Sequence, residues 1–128
     1  MKRRNIEIVL GFLDAIRRRD HEAAAYFLHP EIVWRGVVPD LVCRSPREVL
    51  DVFFGARDGR IEVDRLELIG AERGAVFAVF RPEVWEVAGV EIRGAMYHAV
   101  EVADGRITRI NDYPERAQAL AAVGLGDD

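Results

Sequence analysis

The sequence contains very little cysteine and histidine. Cys43 is the only cysteine among 128 residues, so an intrachain disulfide and a zinc site built from several cysteines are both excluded. A chain without disulfides is typical of a reducing compartment, which predicts a cytoplasmic location. His21, His29 and His98 are spread along the chain without the spacing of a metal site. We therefore expect no metal.

Basic charge and long apolar runs are also scarce. The net charge of −4 argues against nucleic-acid binding, because nucleic-acid-binding faces are usually basic. No stretch approaches the roughly 20 apolar residues that cross a bilayer, so no membrane contact is expected. The start, MKRRNIEIVLGFLDAI, resembles a signal peptide, but Glu7 and Asp14 interrupt its apolar run. We interpret this segment as an amphipathic helix.

The remaining composition is that of a globular protein. Half of the residues are hydrophobic and 31% are charged, which is neither a disordered nor a fibrous balance. A chain of 128 residues is long enough to bury one hydrophobic core. No repeat, linker or low-complexity tract divides it. The sequence therefore predicts a single domain over residues 1–128.

Helical signals dominate the first 56 residues. Apolar residues at spacings of three and four over residues 6–16 predict a first helix. Asp20 is placed to cap a second, short helix through HEAAAYFL, which the His29–Pro30 pair is expected to end. EIVWRG, residues 31–36, predicts a short strand, and a loop follows it. SPRE, residues 45–48, combines a serine cap, a proline and a glutamate in the order that starts a helix.

The third helix is expected to run to about Phe54 and to end at Gly55. Beyond residue 60 the apolar period changes to two, which predicts four successive strands. They cover residues 61–68, 75–87, 90–102 and 106–113. Asp104–Gly105 is the strongest turn signal between them. PERAQALAAVGL predicts a terminal helix with Pro114 near its start and Gly124 near its end. Helices followed by an antiparallel meander make an α+β domain.

Alternation places two polar residues on partly apolar faces. One face of the third predicted strand carries Met96, His98, Val100 and Val102. His98 is therefore expected on an apolar face, as a core histidine or as a functional group. In the last strand Asp112 shares a face with Thr108 and Ile110, opposite Ile107, and neither face is purely apolar. Asp112 either caps the terminal helix or faces a pocket.

FRPEVWEV, residues 80–87, puts Arg81, Glu83 and Trp85 at alternate positions of a predicted strand. Both faces of this strand begin apolar, so alternation leaves their direction open. Either the three side chains form a solvated surface, or Arg81 and Glu83 are a buried pair of charges that needs a function. Pro82 is typical of a strand edge or a bulge, and a bulge there would shift the faces by one and turn Glu83 outward.

The order of these segments resembles the nuclear transport factor 2-like superfamily and, within it, the SnoaL-like (polyketide cyclase-like) domains. The resemblance is carried by AIRRRDHEAAAYFLHPEIVWRG, by the loop into SPREV, and by AVEVADGRITRINDYPERAQALAAVGL. It implies a cone-shaped, curved antiparallel sheet with three N-terminal helices in its hollow and a short C-terminal helix. It also implies an apolar pocket for a small apolar molecule and a homodimer formed through the sheet.

Two kinds of enzyme site in this superfamily match only in part. Compared with the steroid isomerases, Phe12 replaces a tyrosine, Arg35 stands near the base, and His98 stands at the acid, so that mechanism is not expected. Compared with limonene epoxide hydrolases, Arg81, Glu83 and Asp112 match the two charged elements. Trp34 and Gly36 replace the tyrosine and asparagine that help to hold water.

The polyketide cyclases give the best match. Asp112 on the last strand and His98 on its neighbour take the positions of their acid–base residues. The resemblance implies proton transfer next to a carbonyl group, without a cofactor. The expected pocket walls are Trp34, Phe53, Trp85 and Met96, and Tyr26 is a candidate to offer its hydroxyl to the ligand. The alternative is a non-catalytic binding or dimerisation module whose cone is filled by such side chains.

Overall fold

The computed structural model describes residues 2–37, 40–56, 65–87 and 90–125, and the side chains of all of these except 55, 56, 65, 79–87 and 90–95. The helices are α1 (Lys2–Arg17), α2 (His21–Tyr26), α3 (Pro46–Ala56) and α4 (Arg116–Ala122). The strands are β1 (Leu28–Arg35), β2 (Val42–Cys43), β3 (Arg65–Gly70), β4 (Gly74–Val87), β5 (Val90–Ala103) and β6 (Arg106–Tyr113). Among the described helices, none is long and apolar enough to cross a membrane.

The strands form one curved sheet in the order β2-β1-β6-β5-β4-β3. All neighbouring strands are antiparallel except β1 and β6, which are parallel. The predicted α+β fold, with three N-terminal helices, a curved sheet and a short C-terminal helix, is confirmed. The sheet is antiparallel as expected apart from the pair β1–β6, which is parallel because the strand from the N-terminal half joins the meander beside its last strand.

The start of α2 is confirmed and its end differs from the prediction. The Asp20 side chain accepts a hydrogen bond from the Ala23 amide at 3.0 Å, as expected for an N-cap. The helix ends at Tyr26, and the His29–Pro30 pair lies inside β1. The Phe27 carbonyl accepts a hydrogen bond from the Ile107 amide at 2.7 Å. Pairing with a distant strand therefore ends the helix before proline does.

The predicted start of α3 is confirmed at both capping residues. The Ser45 hydroxyl accepts a hydrogen bond from the Glu48 amide at 3.2 Å, and the Glu48 carboxylate accepts one from the Arg44 amide at 2.6 Å. The helix continues to Ala56, so the predicted terminator Gly55 is wrong. A glycine inside a helix costs only about 1 kcal/mol, which neighbouring helical residues offset.

One predicted turn is confirmed, and one short strand was not predicted. Asp104 and Gly105 adopt φ values of 54° and 79°, which is the left-handed geometry of a tight hairpin turn. The short strand β2 was not predicted, because two residues show no period; it pairs with β1 through Cys43 opposite Trp34. The predicted strand residues 61–64 and the predicted turn at 88–89 lie outside the described residues.

Strand β4 is irregular around Pro82. Three residues, 81–83, separate the positions that pair as Phe80–Ala95 and Val84–Arg93, while β5 has a single residue there. The strand is therefore longer by two residues at this point. A bulge of one residue was expected at Pro82, whereas the register shows two extra residues. The side chains of residues 79–87 lie outside the described part of the structure.

Strand β6 has a one-residue bulge that alternation did not predict. Arg109 pairs with Glu101 and Ile107 with Val102, so Thr108 is an extra residue on β6. The Thr108 hydroxyl donates a hydrogen bond to the Glu101 carbonyl at 3.2 Å. The prediction that Ile107 lies opposite Ile110 is therefore wrong: both belong to the same buried core.

The two faces of the sheet carry different cores. The inner face packs against α1, α2 and α3, and its core includes Val9, Phe12, Ile16, Val49, Phe53, Phe77, Val100 and Ile110. The outer face packs against α4 in a smaller cluster of Ala71, Val76, Ala99, Ala119 and Val123. Side chains that point to the inner face are therefore surrounded by aromatic and aliphatic groups, and this is where His98 and Asp112 lie.

Candidate functional site

His98 and Asp112 lie opposite each other on β5 and β6. His98 Nδ1 is 2.6 Å from Asp112 Oδ1. Their side chains are 12% and 3% exposed, so the pair is removed from bulk water. The structure thus brings together the two residues that the sequence placed on neighbouring strands. Asp112 does not cap α4, whose N-cap is Glu115.

The short contact defines what the imidazole can do. Where the carboxylate is ionised it only accepts hydrogen bonds, and His98 Nδ1 is then the donor of this contact. That assignment leaves Nε2 as the ring atom that takes up or releases a proton. In return, the imidazole N–H gives the buried carboxylate of Asp112 the partner that a buried charge requires. The contact therefore orients the two side chains relative to each other.

Aromatic rings fix the orientation of the imidazole. Phe77 lies opposite His98 on β4, and the two rings stack with centroids 4.5 Å apart and planes inclined by 26°. The ring of Trp34 meets the imidazole edge-on, with centroids 6.2 Å apart. These contacts and the bond to Asp112 restrict rotation of His98, which is the preorganisation that proton transfer requires.

A chain of aromatic contacts connects this pair with the helices. Trp34 stacks on Phe53 of α3 at 4.8 Å, and Phe53 meets Phe12 of α1 edge-on at 5.2 Å. Trp34, Phe53 and Met96 are all buried. The structure therefore places these three predicted wall residues on the inner face with the pair. Phe12 is fully buried and contributes only apolar surface.

Trp34 also has a polar atom that lacks a partner. The residue is 8% exposed. Its indole Nε1 is buried and has no hydrogen-bond partner in the described part of the chain. The sequence indicated Trp34 as a wall residue and gave no sign of this donor. Its isolation depends on how β1 packs against α3, which no local pattern encodes.

The comparison with known families agrees with this architecture. Residues 9–110 match the model of the SnoaL-like domain. The chain belongs to the SnoaL-like domain family. The matched range includes Trp34 and His98 and ends two residues before Asp112. No curated protein matches this chain at a significant level.

Solved structures similar to this SnoaL-like domain cover nearly its whole length. An NTF2-like protein from Burkholderia xenovorans LB400 is 18% identical, covers 96% of this chain and 97% of its own, and has a TM-score of 0.74. An LEH-like epoxide hydrolase from M. tuberculosis is 22% identical, with coverages of 95% and 90% and a TM-score of 0.60. A candidate polyketide cyclase from Sinorhizobium meliloti is 18% identical, with coverages of 84% and 94% and a TM-score of 0.62. At these identities the likeness shows the fold alone.

Of the other predicted site residues of the SnoaL-like domain, Tyr26 lies away from the pair. The ring of Tyr26 is at the surface, where the residue is 64% exposed and packs against Phe27 and the guanidinium of Arg106. It does not join the aromatic wall around His98. The side chains of Arg81, Glu83 and Trp85 lie outside the described part of the structure, so their predicted roles stay predictions.

The two remaining histidines have structural partners. His21 stacks on Phe54 at 3.9 Å, and His29 Nδ1 accepts a hydrogen bond from the Glu31 amide at 3.0 Å. Among the residues that the structure describes, no group of three or more histidine, cysteine or carboxylate side chains is arranged to hold a metal ion.

Cys43 of the SnoaL-like domain lies closer to the site than its sequence position indicated. It is opposite Trp34 in the sheet and packs against the inner core. Burial raises the pKa of the Cys43 thiol, and the carboxylates of Glu48, Asp112 and Asp51 raise it further. The thiol is therefore protonated at neutral pH and is a poor nucleophile.

A small surface pocket of about 80 Å³ lies on the opposite side of the sheet, lined by Arg73, Glu101, Ala122 and Val123. Val123 belongs to the outer cluster beneath α4. The sheet therefore separates this pocket from His98 and Asp112, and the pocket has no access to their chemistry.

Proposed function

We propose that this SnoaL-like domain is a cofactor-independent acid–base catalyst that acts on a small apolar carbonyl compound, as an isomerase, cyclase or lyase. The observation that carries the proposal is the buried contact of 2.6 Å between His98 Nδ1 and Asp112 Oδ1. A polar pair oriented within an otherwise apolar face is a typical arrangement of small-molecule active sites.

In the proposed reaction, His98 Nε2 removes a proton from the carbon next to the carbonyl group. The C–H bonding electrons form a C=C bond, and the carbonyl oxygen takes the negative charge. Asp112 keeps the Nδ1 hydrogen in place and stabilises the imidazolium while it holds the second proton. Return of that proton to another atom completes an isomerisation. In an elimination, the enolate electrons reform the carbonyl group and expel a leaving group, which leaves with its bonding electron pair and takes the proton from the imidazolium.

The surroundings support this chemistry. The rings of Phe77 and Trp34 exclude water from the imidazole, and electrostatic interactions are stronger in such a site. The similar structures named as an epoxide hydrolase and as a candidate polyketide cyclase indicate that this fold hosts reactions of small organic molecules. The fold alone does not select among them, so the proposal depends on the pair.

Hydrogen exchange of simple ketones tests the proposal without knowledge of the natural substrate. Cyclohexanone and 2-tetralone are incubated with the protein in D₂O, and loss of the proton signals next to the carbonyl is followed by NMR. The wild-type chain is expected to accelerate this exchange. Asp112→Asn and His98→Gln are each expected to slow it by about 10²- to 10⁴-fold, the usual contribution of a general acid–base group.

Asp14→Asn is the matched control for Asp112→Asn. Asp14 is an exposed residue of α1 that pairs with Arg17 and Arg18, and exposed ion pairs contribute little to stability. This variant is expected to keep the exchange activity. The proposal fails if no ketone exchanges faster with the wild-type chain than with Asp112→Asn. Binding of ketones without exchange would identify the domain as a non-catalytic binding module.

Epoxide hydrolysis is an alternative activity, which is measured with an epoxide in place of the ketone. It would use Asp112 with Arg81 and Glu83, and the similarity to an LEH-like epoxide hydrolase supports including it. However, one Asp112 oxygen already accepts the His98 hydrogen bond, which favours the acid–base reaction. Glu83→Gln is expected to leave ketone exchange intact. Loss of an epoxide hydrolase activity in Glu83→Gln, with no ketone exchange in the wild-type chain, would favour the hydrolase.

A further inference from the structure

The indole of Trp34 has an unused hydrogen-bond donor. Its Nε1 is buried and has no partner within the described residues. An indole N–H can only donate, and buried tryptophan nitrogens usually find an acceptor. Buried polar atoms without partners are rare in native structures, and a missing ligand or water is one of their explanations. None of the described residues provides an acceptor for this donor, so it is available to a bound molecule.

The position of the donor is fixed by the fold. Trp34 pairs with Cys43 on one side and with Ile110 on the other, so its backbone is held between two strands. Its ring stacks on Phe53 with the planes inclined by 28°. A side chain held by two strands and a helix keeps its orientation when a ligand arrives. Such rigidity is what a binding or catalytic donor requires.

The donor belongs to the same site as the acid–base pair. The rings of Trp34 and His98 touch edge-on, with centroids 6.2 Å apart. A small molecule within reach of the imidazole is therefore also next to the indole. We infer that Trp34 Nε1 donates a hydrogen bond to the acceptor oxygen of the bound molecule, which makes Trp34 a residue that selects oxygen-bearing ligands over hydrocarbons.

In the proposed reaction, on which this inference rests, the acceptor is the carbonyl oxygen. Negative charge develops on that oxygen when His98 takes the proton from the neighbouring carbon. A preorganised donor stabilises this charge more strongly than it stabilises the neutral carbonyl group. Trp34 thus contributes to ligand binding and to the rate of proton transfer.

Indole NMR tests the inference directly. The chain contains two tryptophans, so two indole N–H signals are expected, and Trp34→Phe assigns one of them. The probes are cyclohexanone and methylenecyclohexane, which have nearly the same shape and differ in the acceptor oxygen; 2-tetralone and its methylene analogue form a larger pair. The ketones are expected to move the Trp34 signal downfield, and the alkenes are expected to leave it nearly in place.

Affinities give a second readout. Trp34→Phe is expected to weaken ketone binding by about tenfold and to leave alkene binding unchanged. If Trp34→Phe does not fold, the spectrum of the wild-type chain still decides. The inference is overturned if a ketone binds without moving the Trp34 signal, if ketone and alkene move it equally, or if no probe binds up to its solubility limit.

The same titration in Asp112→Asn separates this inference from the proposed function. That variant retains the indole donor, so ketones are expected to move the Trp34 signal even though they no longer exchange. A downfield shift in both chains without exchange in either would support the role of Trp34 and refute catalysis. Exchange in the wild-type chain with an unmoved indole signal would refute the role of Trp34 alone.

Discussion

Ile107 and Asp112 face the same side of β6 although they are five residues apart. In a regular strand an odd separation places two side chains on opposite faces. The extra residue Thr108 removes this conflict, because it lets both the core residue and the carboxylate point to the inner face. A bulge next to a site that re-aims a side chain is a recurring device in sheets.

Two single-residue deletions test this role of the bulge. Deletion of Thr108 is expected to give a regular strand in which Ile107 and Asp112 still share a face, so ketone exchange should persist. Deletion of Asn111, between Ile110 and Asp112, is expected to turn the carboxylate outward and to reduce exchange by about 10²-fold or more. Equal loss of activity in the two folded variants would contradict this account.

His98 and Asp112 are expected to act as one unit. Because the carboxylate orients the imidazole through the Nδ1 contact, removal of either partner disables the other. The double variant Asp112→Asn with His98→Gln should exchange ketones no more slowly than the slower single variant. The measurement is the exchange rate in D₂O for all four chains. Multiplicative losses would show that the two residues act separately.

The thiol of Cys43 reports on the charges around the site. Burial, followed by the carboxylates of Glu48, Asp112 and Asp51, raises its pKa, so iodoacetamide should alkylate it more slowly at pH 8 than it alkylates a free cysteine. Glu48→Gln lowers the thiol pKa by removing one carboxylate and should speed alkylation. Asp14→Asn changes a residue of α1 and should leave the alkylation rate of Cys43 unchanged. Mass spectrometry measures the rates, and an unchanged rate in Glu48→Gln would count against the electrostatic cause.

The raised pKa of Cys43 also makes the free energy of unfolding depend on pH. The folded state holds the thiol proton more tightly than the unfolded state does. This contribution to folding is therefore complete below the unfolded pKa of about 8.5 and is lost as the pH rises through the folded pKa. Cys43→Ser should weaken this alkaline loss in the free energy of unfolding between pH 8 and pH 10. An identical pH profile for both chains would be the contrary result.

Two glycines should respond very differently to alanine. A Cβ on Gly74 would lie 1.7 Å from the Val100 carbonyl oxygen, so Gly74→Ala must separate β4 from β5 and should cost about 3 kcal/mol or more. Gly124 has a φ of 81° and open space around it, so Gly124→Ala should cost about 1 kcal/mol through backbone strain alone. Thermal unfolding compares the two; a similar melting temperature for both variants would show that the close contact is absent.

Local signals predicted much of this fold correctly. The caps at Asp20 and Ser45 and the turn at Asp104–Gly105 depend on residues within a few positions of one another, and each is present as expected. The end of α2 was missed because it depends on a bond between Phe27 and Ile107, which are distant in sequence. The two-residue strand β2 was missed because it is too short to show a period.

Strand alternation predicted only part of the candidate site. His98 lies on the face to which its apolar neighbours assign it. Alternation left the direction of Asp112 open, because the bulge at Thr108 leaves no mark in the composition of β6 and the core residue Ile107 was therefore predicted on the opposite face. The unpaired indole of Trp34 was not predictable either, since it depends on the packing of a strand against a helix.

The tight turn at Asp104–Gly105 joins the two strands that carry the acid–base pair. His98 and Asp112 are 14 residues apart in the chain, whereas Trp34 precedes His98 by 64 residues. The entropic cost of closing a loop increases with its length, and hairpins form within microseconds. During folding, the hairpin is therefore expected to assemble the pair before β1 docks beside β6 and brings the indole to it.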